Sequence, residues 1–189
     1  VRISFVVQKR PGGLPEAFIL GEDFLDGGPA TLVLGDNIFE DDFSEAIRTF
    51  ESGGRIFAKE VSDPERFGVV EFDADGKVLS IEEKPSVPKS RFAIPGVYIF
   101  DGNVSKVAQT LTPSGRGELE IVDIHTHYLN QGTLDVRSIS GAWFDTGTHD
   151  ALLEASVYVK EKKMGEAFHP LVNAAIKEFN AEWKKLVSL

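Results

Sequence analysis

Short β-rich runs alternate with helically spaced apolar positions along this chain. Residues 1–7 form an apolar, β-branched run that predicts a strand. Residues 14–24 carry apolar or glycine positions at 14, 17, 18, 20, 21 and 24, the spacing of one helical face. Residues 30–34 are suited to a strand buried on both faces. Strand, helix and strand within so short a stretch predict the crossover of a parallel sheet, with ligand-accessible loops at the carboxyl ends of the strands.

The alternation continues. Residues 43–51 predict a helix and 55–61 a strand. Residues 68–73 and 77–82 predict a hairpin turned by Asp73-Ala-Asp-Gly76, where Asp-Gly supplies the positive φ of a tight turn. Further strands are expected over 93–100 and 133–139, and helices over 104–111 and 121–131. From Asp150 to about Leu189 the pattern is helical with one break at His169-Pro170, because proline cannot continue the preceding turn. A nucleotide-handling domain is expected over residues 1–156 and a helical tail over 157–189, whose apolar positions include Phe168, Leu171, Ile176, Phe179, Trp183 and Leu186.

Composition narrows the function classes. With 189 residues, 42% of them hydrophobic, the chain can bury one sizeable core. Thirty acidic residues against 20 basic ones give a formal charge of −10, which argues against non-specific nucleic-acid or anionic-membrane binding. Any phosphorylated ligand must therefore meet local positive charge. There is no cysteine, so disulfides, thiolate zinc sites and a cysteine nucleophile are excluded. No run approaches the roughly 18 apolar residues of a membrane span, and a cytoplasmic protein is expected. The chain enters its first strand-like run at Val1 without a methionine, so a front segment is expected to be missing.

Candidate chemistry concentrates at strand ends. Leu32-Val-Leu-Gly-Asp-Asn37 ends a buried run in Gly35, which leaves the backbone approachable, and then Asp36, an oxygen ligand of the kind Mg²⁺ takes. Asp145 has a similar setting in Gly141-Ala-Trp-Phe-Asp-Thr-Gly-Thr148, beside Trp143. Two such acids suit one metal ion, although each also fits an ordinary turn that caps the following helix. In Ile81-Glu-Glu-Lys-Pro85, Lys84 suits a phosphate and Glu83 suits sugar hydroxyls; a solvated strand edge accounts for them equally well. Gln8-Lys-Arg-Pro-Gly-Gly-Leu14 opens a helix, with Gly12 and Gly13 permitting close backbone approach and Gln8 able to hold a base edge. It matches neither GxxxxGK[ST] nor GxGxxG. Arg116 precedes the helix at Ile121 and is a candidate phosphate contact.

Taken in order, Gln8…Pro11-Gly-Gly-Leu14, Leu34-Gly-Asp-Asn37, Arg66-Phe-Gly-Val-Val-Glu-Phe-Asp73, Ile81-Glu-Glu-Lys-Pro85, Gly96-Val-Tyr98, Arg116-Gly-Glu-Leu-Glu-Ile121 and Trp143-Phe-Asp-Thr-Gly-Thr148 resemble the sugar-1-phosphate nucleotidylyltransferases. The resemblance implies a Rossmann-like α/β fold with a mixed, mostly parallel central sheet flanked by helices. It implies a Mg²⁺-dependent reaction in which glucose 1-phosphate attacks the α-phosphorus of dTTP, releasing pyrophosphate and dTDP-glucose. UTP is the alternative nucleotide, and a non-catalytic sugar-nucleotide-binding protein the alternative class. Asp36 and Asp145 would hold the metal and, with Lys84, form the catalytic set. Gln8 and Gly13 would read the base, Phe67 and Gly68 line the sugar site, and Glu83 hold hydroxyls. Gly35, Ile94, Tyr98, Arg116 and Trp143 would complete the substrate contacts. A homo-oligomer is implied, as is a Gly-rich GxGTRLxPxTxxxPK loop with its strand, which the chain is expected to lack. Phe67 stands where tyrosine is common, Pro95 where threonine is usual and Gly12 where aspartate is often found.

Overall fold

The computed structural model describes residues 3–162. In chain order the elements are α1 Glu16–Leu20, α2 Glu22–Leu25, β1 Ala30–Val33, β2 Asn37–Phe39, α3 Ser44–Arg48, β3 Gly54–Glu60, β4 Gly68–Phe72, β5 Val78–Glu83, β6 Phe92–Ala93, β7 Val97–Phe100, α4 Val104–Thr110, α5 Ile121–Asn130, β8 Leu134–Ser138, β9 Trp143–Asp145 and α6 His149–Glu161. The main sheet runs β1-β7-β3-β6-β4-β5, with β8 on the other edge of β3.

Two clusters show where the core sits. Alternate residues of β3 and β7 point to opposite faces. Ile56, Ala58, Tyr98 and Phe100 pack with Phe18 of α1, Val104 of α4 and Ile124 and Tyr128 of α5. Phe57, Val97 and Ile99 pack with Ala46 of α3 on the opposite side. The sheet is thus the middle of three layers, and the Rossmann-like α/β class expected from the motifs is borne out.

The parallel majority is not. Of the seven ladders among the described residues, only β3–β8 is parallel. The reason is the insertion of β7: β1 and β3 are both antiparallel to it, so they share a direction without touching each other, and only β8, on the other edge of β3, meets a strand of that direction directly. One reversed strand turns two ladders antiparallel.

Other expectations are corrected by partnership. Residues 3–7 form no strand, and Val6 and Val7 are 58% and 72% exposed, because an extended run gains little without a ladder partner. Residues 30–34 are not buried on both faces, since among the described residues β1 pairs with β7 alone and Val33 is 54% exposed. The helix over 14–24 is broken at Gly21 into α1 and α2. The strand over 93–100 divides into β6 and β7. Ile56 faces Tyr98 and Lys59 faces Ala93, so residues 57–58 of β3 oppose residues 94–97, a two-residue excess that makes Ile94-Pro95-Gly96 bulge. Pro95, lacking an N–H, suits the bulge.

The hairpin forms as expected, with Asp73 Oδ1 accepting from Asp75 N and Lys77 N at 2.9 Å each and Gly76 at φ +81°. The helix α6 begins at His149 with a Thr148 cap and runs across position 157. The expected break at His169-Pro170 and the apolar tail positions from Phe168 onward lie outside the described residues. No helix among those described is long and apolar enough to cross a membrane.

Candidate active site

The cavity opens where β1 and β5 end and β7 begins. Leaving β1, the chain turns through Leu34 and Asp36 into β2, which pairs with β9 so that Asn37 faces Asp145 and Phe39 faces Trp143. This two-stranded ladder has no counterpart in the hydrophobic pattern, and it is what brings the two predicted acids together. Thr146 donates both its N–H and its hydroxyl to the Asp36 carbonyl, each at 2.8 Å. Asp36 and Asp145 line one cavity.

Asn37 organises this corner, a role that went unassigned in the sequence. Its Oδ1 accepts from Gly96 N at 2.9 Å and from Trp143 Nε1 at 2.7 Å, while its Nδ2 donates to Asp36 Oδ1 at 2.9 Å. Gly96 is required here: a Cβ would lie 2.6 Å from the Leu34 side chain and 2.8 Å from Asn37 Oδ1. The Trp143 ring packs on Phe67 at 4.9 Å between centroids. Arg66, also unassigned, spans the mouth with Nη1 2.8 Å from Asp63 Oδ2 and Nη2 3.7 Å from Asp145 Oδ2.

The other wall comes from the end of the hairpin. Gly68 faces Glu83 across β4–β5, and Lys84 N donates to Phe67 O at 3.0 Å. Burial raises the Glu83 carboxyl above its ordinary value; Lys84 and Arg116 oppose the shift and Glu120 adds to it. Lys84 has φ +44°, a left-handed conformation unusual for a side-chain-bearing residue and doubly so before Pro85. Strain of this kind is retained where the surroundings over-determine it, often at functional positions. Burial, then the Glu83 and Asp36 charges, push the Tyr98 hydroxyl well above its ordinary value, so Tyr98 stays neutral between the two walls. Ile94, from the bulge, and Ile121, Val122 and His125, from α5, close the floor.

Thus Asp36, Phe67, Gly68, Glu83, Lys84, Ile94, Tyr98, Trp143 and Asp145 converge on one cavity. Four expected residues sit elsewhere. Arg116 donates to Glu120 through Nη2 at 2.5 Å and reaches Glu83 Oε1 at 3.4 Å, so it backs the Glu83 wall. Gln8 and Gly13 line an adjoining concavity that meets the first at Leu14. Gln8 Nε2 donates to Glu16 Oε2 at 2.5 Å. The close approach Gly13 permits is to the protein's own backbone: at φ +99°, a Cβ would lie 2.0 Å from Leu119 O. Gly35 lies outside the lining, with open space where its Cβ would be. No group of three or more potential metal ligands clusters among the described residues.

The chain is similar to known proteins in both sequence and fold. The family profile described as nucleotidyl transferase matches residues 1–162. Glucose-1-phosphate thymidylyltransferase of Actinoplanes sp. is 46% identical over 171 residues, covering 88% of this chain and 56% of that protein. The Mycobacterium tuberculosis enzyme of the same name is 45% identical over 172 residues, covering 87% of this chain and 60% of its own. The chain therefore spans less than two thirds of these relatives. A Bacillus anthracis protein described as a glucose-1-phosphate thymidylyltransferase, solved with sucrose, superposes with a TM-score of 0.80 at 39% identity, over 90% of this chain and 68% of that one. UDP-glucose pyrophosphorylase bound to UDP-glucose superposes at 0.74 with 20% identity, over 84% and 66% of the two chains, and shares the fold alone. With the profile spanning every element from α1 to α6 and relatives at this level of identity, the chain belongs to the nucleotidyl transferase family.

Proposed function

We propose that this chain carries the sugar-phosphate site of a glucose-1-phosphate thymidylyltransferase, which joins glucose 1-phosphate to dTTP with release of pyrophosphate. The observation that carries the reading is one cavity with two chemically different walls, Glu83 and Lys84 on one side and Asp36 and Asp145 on the other. A sugar phosphate makes that mixed demand: carboxylate acceptors for hydroxyls and a cation for the phosphate. The thymidylyl relatives, at 45% and 46% identity, favour dTTP over UTP.

In this reading Glu83 accepts sugar hydroxyls, with Arg116 behind it holding its orientation. The Lys84 ammonium binds the sugar phosphate and, with Tyr98 and the Trp143–Phe67 pair, fixes it for in-line attack. A phosphate oxygen forms the new bond to the α-phosphorus as the bond to the pyrophosphate oxygen breaks, with no covalent enzyme intermediate. The nucleophile is already anionic, so no general base is needed, and positioning carries much of the rate. Gln8 and Gly13, in the adjoining concavity, face the base.

Asp36 and Asp145 fit Mg²⁺, which takes one or two carboxylates and completes its shell with phosphate and water oxygens. When bound there, the ion would supply neutralisation of phosphate charge. Asn37 and Thr146 hold the Asp36 segment in place. The test is pyrophosphate release from dTTP and glucose 1-phosphate with and without Mg²⁺, in the wild type and in Asp36→Asn. We expect Mg²⁺-dependent release that falls at least a hundredfold in the variant, on the scale of losing a principal electrostatic group. Undiminished release by a folded Asp36→Asn protein would remove Asp36 from the reaction.

A further inference from the structure

The described residues include four buried polar or charged side chains, and three are satisfied. Arg55 donates to Asp135 Oδ2 at 2.6 Å, Ser105 to Phe18 O at 3.0 Å, and Glu120 accepts from Arg116 and Ser114. The fourth is His125, which is 0% exposed and has no hydrogen-bond partner at either ring nitrogen. Native interiors rarely leave such groups unpaired without a reason.

Its place in the fold suggests the reason. Ile121, Val122 and His125 occupy the side of α5 that lines the cavity, His125 one turn beyond the other two, and Glu83 and Tyr98 line the same cavity. The imidazole stacks on Phe100 at 5.9 Å between centroids and lies 5.0 Å from the Tyr98 ring. Those aromatic neighbours hold its plane and offer no partner to its nitrogens. The cavity is the open space that His125 borders, and a ligand there meets the ring nitrogens by displacing the side chains that cover them. An uncharged imidazole has one donor and one acceptor, the complement of a hydroxyl, which is also both. A phosphate would demand cations, which Lys84 and Arg66 already supply nearer the mouth.

We propose that His125 is a specificity-determining residue of the cavity, hydrogen-bonding one hydroxyl of the bound hexose from the cavity floor. The inference rests on the sugar-phosphate reading above and adds to it a second residue, beside Glu83, that recognises the sugar. A site that hydrogen-bonds a hydroxyl rejects the analogue lacking it, because its own polar group is then left unpaired.

The experiment is calorimetric titration of the full chain with dTDP-glucose and with its four monodeoxy analogues at hexose positions 2, 3, 4 and 6, in wild type, His125→Phe and His125→Asn. In wild type, one analogue is expected to bind about tenfold more weakly than dTDP-glucose through His125. His125→Phe is expected to bind dTDP-glucose about tenfold more weakly and to treat that analogue and the parent alike, while His125→Asn regains part of the discrimination. The wild-type ¹⁵N imidazole resonances are expected to shift with dTDP-glucose and not with that analogue, a readout that stands even if His125→Phe fails to fold. Wild-type affinities and discrimination in folded His125→Phe, or imidazole resonances indifferent to the sugar, would overturn the assignment and leave a packing histidine or a water site only. Absence of any wild-type binding to dTDP-glucose would instead overturn the sugar-phosphate reading itself.

Discussion

The Asn37 side-chain oxygen accepts the Trp143 indole N–H at 2.7 Å across 106 positions of chain, and the same oxygen accepts the Gly96 N–H at 2.9 Å. One amide thereby joins the β1–β2 turn, the β6–β7 bulge and β9, the three segments that carry Asp36, Gly96 and Asp145. The geometry of the acidic wall depends on that junction.

Asn37→Ala should therefore cost about 2–4 kcal/mol, since it leaves two donors without their acceptor. Gly96→Ala should cost about 1–3 kcal/mol by forcing Leu34 and Asn37 apart. The two are in contact, so urea denaturation of the double variant should show a total loss smaller than the sum. Strict additivity would mean that the junction is not a unit.

Glu83 makes a pH prediction with a definite sign. Its carboxyl is raised above the ordinary 4.5 by burial, so between that value and the higher native one the folded protein binds more protons than the unfolded. Stability then falls as pH rises through this window. Glu83→Gln should flatten that slope and leave stability near neutral pH equal or improved while sugar binding is lost. Thermal melts from pH 4 to 8 would check it, and a steeper slope in the variant would contradict it.

Lys84 separates backbone strain from charge. Lys84→Ala keeps the backbone strain and removes the ammonium, whereas Lys84→Gly removes the ammonium and relieves the strain as well. The glycine variant should be more stable than the alanine variant by about 1 kcal/mol, while both lose the sugar phosphate. Equal stabilities would show that the φ of +44° carries no cost.

His125 sets an acid limit. Complete burial lowers its imidazole from 6.5 to about 3. Between those values the unfolded chain takes up a proton that the native state refuses, so this contribution to stability is lost as pH falls below 6.5, by up to about 1.4 kcal/mol per pH unit. In His125→Phe that part of the acid slope should disappear, as denaturation midpoints between pH 4 and 7 would record.

The strands and helices that bury their own faces were legible in the sequence. Apolar spacing marks α4, α5, β3, β8 and the β4–β5 hairpin, because period and turn chemistry are local properties. The motifs named Asp36, Glu83, Lys84, Trp143 and Asp145, since a glycine or proline next to a charged residue at a strand end is visible without knowing its partner. What only the tertiary structure decided was pairing. The β2–β9 ladder, the reversed insertion of β7 and the bulge at Ile94-Pro95-Gly96 are set by distant segments competing for the same backbone groups, and no short-range pattern encodes that competition. For the same reason Asn37, Arg66 and His125 look ordinary in sequence. Their neighbours in space, Trp143 and Gly96, Asp145, and Tyr98 with Phe100, are brought to them by the fold.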